Sequence, residues 1–73
     1  MAKLPVVDGD DAIKAFRKAG FHLDHWRGRH AILYHSAGRH LSIPGGRKEL
    51  KPGTLRTLIR KAGLTVDELT KLL

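Results

Sequence analysis

The sequence contains no cysteine. That excludes a disulfide framework and a thiolate metal site, so stability beyond a small core has to come from packing or from a partner protein. It also lacks any apolar run approaching the roughly 18 residues of a membrane span. The opening MAKLPVVDGDD carries acids where a signal peptide needs a long apolar segment. A soluble, complete, cytoplasmic chain with no membrane partner is expected. Serine is scarce: Ser36 and Ser42 fall in an expected turn and an expected strand without an elbow motif, which leaves no serine nucleophile. The stretch IPGGRKEL is Gly-rich but lacks the Walker spacing, so nucleotide hydrolysis has no support. At 73 residues the chain should form a single domain over residues 1–73. A domain of this size hides only about 60% of the surface that its unfolded chain exposes.

Acids are few as well, 7 against 14 Lys and Arg, a formal net charge of +7. The imbalance is concentrated. Between Ala12 and Gly63 only Asp24 and Glu49 are acidic against twelve basic residues, so this segment carries +10. Such a field raises the local concentration of polyanions and speeds their encounter, which points to nucleic acid or an acidic protein partner. A merely solubilising surface is the plain alternative.

The periodicity predicts an α+β fold. Ala12, Ile13, Phe16 and Ala19 recur at helical steps behind the cap candidates Asp8 and Asp10 and ahead of Gly20, which marks a first helix. FHLDHW alternates apolar and polar through Phe21, Leu23 and Asp24, and HAILYH forms a second β-rich run after the turn Arg27-Gly28-Arg29. SAGR, residues 36–39, is a turn signal. HLSIP then alternates with Leu41 and Ile43 on one face until Pro44, which cannot donate to a ladder, ends the strand. Leu55, Leu58, Ile59 and Ala62 mark a second helix that Pro52 starts and Gly63 stops. Thr65 and Glu68 have the spacing of a capping box ahead of a short closing helix. The expected order is α-β-β-β-α-α, a three-stranded antiparallel meander with helices on one face.

Five histidines, His22, His25, His30, His35 and His40, raise the question of a metal. All fall on strands or strand ends, no helical i, i+4 pair is available and Asp24 is the only nearby carboxylate, so no metal or other cofactor is expected. A histidine among guanidinium groups has a different use. RNA is cut by its own 2′-hydroxyl when one group removes that hydroxyl's proton, another protonates the leaving 5′-oxygen, and cations hold the phosphate. Arg27, Arg29 and His30 would supply cation and proton carrier from one loop. From composition alone, a histidine at the start of a strand is more often a structural or solvated residue.

The segments AIKAFRKAGFHLDHWRGRHAIL, GRHLSIP and KELKPGTLRTLIRKAGLTVDEL together make the chain resemble the HicA, or YcfA-like, family of toxins across nearly its whole length. LKPGTLRTLIRKAGLT is the most specific part. The resemblance implies a double-stranded-RNA-binding-domain-like α-β-β-β-α core and a type II toxin that is a metal-independent mRNA endoribonuclease, paired with a HicB-like antitoxin that covers its active site. It also implies that His30 is catalytic. The family's Gly-Ser-His motif stands here as Gly28-Arg29-His30, with Arg29 in the serine's place. Gly45-Gly46 follows Pro44, where many members carry a second histidine.

The expected site is therefore His30 with Arg27, Gly28, Arg29, Lys48 and Lys51 at the phosphate. The second proton carrier is left among His25, His35, His40 and Lys48. Trp26 and Tyr34 could stack on unpaired bases or pack on the sheet. Two other readings stay open: an RNA-binding module that does not cut, and a subunit whose basic face docks an acidic partner.

Overall fold

The computed structural model describes residues 3–36 and 38–73. Helix α1 (Gly9–Lys18) starts at Asp8, whose carboxylate accepts the Asp11 N–H at 2.7 Å, and it buries Ala12, Ile13, Ala15 and Phe16. Arg17 and Lys18 occupy its last turn, where positive charge suits the helix dipole. Strands β1 (His22–Arg27), β2 (His30–Tyr34) and β3 (His40–Pro44) form one antiparallel sheet in the order β1-β2-β3. Helix α2 (Pro52–Ala62) begins at Pro52 and ends at Gly63 in the left-handed conformation. Helix α3 (Val66–Leu72) carries the full capping box: Thr65 Oγ1 accepts the Glu68 N–H and Glu68 Oε1 accepts the Thr65 N–H. The expected order, strand count and helix stops all hold. Of the SAGR turn, Ala37 lies outside the described residues; the turn closes through Gly38 N–H to the His35 carbonyl and His35 N–H to the Arg39 carbonyl, both at 2.9 Å.

All the helices cover one side of the sheet. Ala31, Leu33, Leu41 and Ile43 point into them and are fully buried, together with Phe16, Leu55 and Leu69. Phe21 stands edge-on to Phe16, ring centroids 6.2 Å apart, and closes the core beneath the end of α1. The loop from β3 to α2 is tied down by backbone pairing. Leu50 N–H donates to the Val7 carbonyl at 2.9 Å, and Gly46 and Asp10 exchange two hydrogen bonds. The start of α1 and the end of β3 therefore meet at one edge of the molecule.

Alternation does not run the length of β1. Simple alternation through FHLDHW would place Leu23, His25 and Arg27 on the same side of β1. Instead the register shifts between Leu23 and His25: Leu23 pairs with Leu33, whereas His25 pairs with Ile32, Trp26 with Ala31 and Arg27 with His30. Asp24 is the extra residue of a β-bulge. A bulge sets two residues against one on the partner strand, so the side-chain phase inverts beyond it. His25 and Arg27 consequently face away from the helices, and Trp26 falls on the helix side.

Candidate active site on the open sheet face

The face of the sheet turned away from the helices is assembled by that inversion. β1 contributes His25 and Arg27, β2 contributes His30, Ile32 and Tyr34, and β3 contributes Ser42 and His40. These seven residues line one shallow depression of about 380 Å³. Its floor is Ile32, which is buried although it stands outside the main core cluster, because its strand neighbours cover it. Around this apolar floor stand three imidazoles, one guanidinium, one phenol and one hydroxyl, and all but Ile32 are exposed. No acid lines the depression. An anion entering it meets cationic and hydrogen-bonding groups around an apolar base, which suits a nucleotide with its phosphate.

His30 opens β2 directly opposite Arg27, the last residue of β1. Directly opposed residues on one face have β-carbons about 5 Å apart, so the guanidinium and the imidazole can reach the same phosphate. The two-residue turn Gly28-Arg29 sets this pairing. Gly28 has φ +59° and no residue other than glycine has a positive φ among the described residues, the φ pattern of a type II′ hairpin turn with glycine at its first central position. Gly28 thus has a turn role. The Arg29 carbonyl accepts the Gly45 N–H at 2.8 Å, which binds the hairpin tip to the loop after β3. The Trp26 ring also lies against Gly45.

Further along the same face Tyr34 and His40 pair across β2 and β3, their rings 5.9 Å apart and tilted by 33°. At the bulge, Asp24 Oδ2 lies 2.7 Å from His25 Nδ1, the only ion pair among the described residues. His35 stands apart, its ring 5.0 Å from that of Phe21. Lys48 and Lys51 are exposed on the loop that runs from Gly45 into α2, and neither lines the depression. Of the sequence-predicted residues, then, Arg27 and His30 come together, Gly28 and Arg29 form the turn beside them, and the two lysines lie elsewhere. The Asp24–His25 pair escaped sequence reasoning. Its only sequence signal is the adjacency of Asp and His, which by itself does not report a bulge. No group of three or more His, Cys, Asp or Glu among the described residues could hold a metal ion.

A family model described as HicA toxin of bacterial toxin–antitoxin matches residues 9–64. The chain belongs to the HicA toxin family. The matched span starts at the first residue of α1 and runs just past α2, so it contains the whole sheet and its open face, while α3 lies outside it. Family membership makes the chain a toxin that has an antitoxin partner. No curated protein matches the sequence. No helix among the described residues of this HicA toxin is long and apolar enough to cross a membrane.

Proposed function

We propose that this HicA toxin is an mRNA endoribonuclease that works without a metal ion, with His30 as a proton carrier in attack by the RNA's own 2′-hydroxyl. The observation that carries the reading is the direct cross-strand pairing of His30 with Arg27 on a sheet face that no helix covers. In this reading Arg27 holds the non-bridging phosphate oxygens as charge builds on them. The hairpin turn Gly28-Arg29 keeps Arg27 and His30 in register and offers a second guanidinium at its rim. The adjoining Tyr34 and His40 rings provide a platform for a base, and base stacking on aromatic side chains is worth about 1–3 kcal/mol. Lys48, and Lys51 at the start of α2, extend positive charge beyond the depression, where the RNA backbone leaves it.

A HicB-like antitoxin would silence the enzyme by covering the same open face, and the substrate places its action in the cytoplasm. The test is incubation of the purified protein and its His30→Ala variant with RNA in EDTA. The variant is expected to cut about 10²- to 10⁴-fold more slowly, the usual contribution of a positioned proton carrier. Undiminished cleavage by the variant would overturn the assignment. Intact RNA with wild-type protein, together with salt-sensitive binding, would leave a binding module in its place.

A further inference from the structure

Cleavage by a 2′-hydroxyl needs two proton transfers, and His30 accounts for one. The other four histidines differ sharply in where the sheet puts them. His22 pairs with Tyr34 and His40 pairs with the same Tyr34, so each lies four strand positions from the residue opposite His30, about 13 Å along the strand. That is too far to share one phosphodiester. His35 lies beyond the end of β2, against Phe21. His25 is the exception. It pairs with Ile32, two residues along β2 from His30, which makes it the diagonal neighbour of His30 at about 7 Å, within reach of long and aromatic side chains.

The bulge explains why His25 is there at all. Were Asp24 paired in a regular ladder, position 25 would share the helix side with Leu23; with Asp24 bulged out, His25 and Arg27 both turn to the open face. Asp24 also supplies the carboxylate that holds His25, 2.7 Å from Nδ1, with both side chains about half exposed. With Nδ1 engaged, the reactive nitrogen of His25 is Nε2. A histidine whose two ring nitrogens both donate, one to a carboxylate and one outward, is equipped to give up a proton. Among the described residues no carboxylate stands within ion-pair distance of His30.

We infer that His25 is the second proton carrier, the general acid of the cleavage, and that Asp24 is its positioning residue; the inference rests on the cleavage reading above. His30 takes the proton of the 2′-hydroxyl. The 2′-oxygen bonds to phosphorus as the bond from phosphorus to the 5′-oxygen breaks, and His25 Nε2–H protonates the departing 5′-oxygen. The products are a 2′,3′-cyclic phosphate and a 5′-hydroxyl, and no water or co-reactant is consumed. Arg27, opposite His30 and on the same face as His25, neutralises the phosphate between them.

The test uses an RNA that the wild-type protein cuts and the same RNA with sulfur in place of the leaving 5′-oxygen, since a thiolate departs without a proton. On ordinary RNA, His25→Ala should cut about 10²- to 10⁴-fold more slowly than wild type. On the sulfur substrate it should return close to the wild-type rate, which also shows that the variant is folded. His30→Ala should be slow on both. Asp24→Asn should be slower on ordinary RNA only, by less than His25→Ala. A His25→Ala variant that cuts ordinary RNA normally, or is equally slow on both substrates, overturns the inference. A His30→Ala variant that cuts normally overturns the underlying reading instead. Wild-type protein that cuts neither substrate removes both.

Discussion

Trp26 and Gly45 adjoin so closely that a β-carbon at position 45 would lie 2.8 Å from the indole ring and 3.3 Å from the Arg29 carbonyl. The indole therefore fills the space that a side chain at position 45 would need. The ring is 51% exposed and can swing outward, so Gly45→Ala should cost only about 1 kcal/mol, at the low end for an overpacked contact. Trp26 is the sole tryptophan. Its fluorescence should shift to the red in the variant, and urea denaturation gives the energy.

A glycine-to-alanine change in a helix ordinarily gains stability, by about 1 kcal/mol. At Gly9 the sign should reverse. A β-carbon there would sit 1.8 Å from the Pro44 carbonyl oxygen and 2.9 Å from its carbon, both backbone atoms with no side-chain freedom to yield. Gly9→Ala should separate the start of α1 from the end of β3 and cost about 3 kcal/mol or more. Urea denaturation of wild type and variant, compared at constant slope, measures it.

Deletion of Asp24 should be tolerated by the fold. With the extra residue gone, Leu23 and His25 become neighbours on a regular ladder and keep their partners Leu33 and Ile32, so His25 and Arg27 still face away from the helices and Trp26 toward them. What the deletion removes is the bulge and the carboxylate beside His25. Circular dichroism should show both the deletion variant and Asp24→Ala folded.

Arg27 should also register in equilibrium binding. In a His30→Ala background, which leaves the RNA intact, the logarithm of the association constant should fall linearly with the logarithm of salt concentration. Arg27→Ala should reduce that slope by about 0.7, the value for one phosphate contact on a single strand. Parallel measurements on Lys48→Ala and Lys51→Ala ask the same of the two cations that stand off the depression. Arg27→Ala should weaken binding without unfolding the protein, because the side chain is exposed.

Much of this architecture is legible from local chemistry. Asp8 and the Thr65–Glu68 box fix helix starts through their own hydrogen bonds, Pro44 ends a strand because it has no N–H, and Gly63 stops α2. Each of those signals acts within a few residues of itself, so the sequence alone suffices to place it. Leu41 and Ile43 likewise declare the buried side of β3 by strict alternation. The basic middle segment and the Gly28-x-His30 pattern are also local, and they direct attention to His30.

The composition of the open face was another matter. Whether His25 faces solvent or core depends on the register between β1 and β2, and whether Asp24 pairs or bulges out inverts it with no change in the sequence of the strand. The cost of a bulge is repaid by partners distant in sequence: Leu33 and Ala31 under Leu23 and Trp26, and Gly45 against the indole. The sequence by itself determined the elements, their order and the charge. Tertiary structure alone decided which histidines share a face, because side-chain phase in a strand is settled by its pairing partner and not by its own residues.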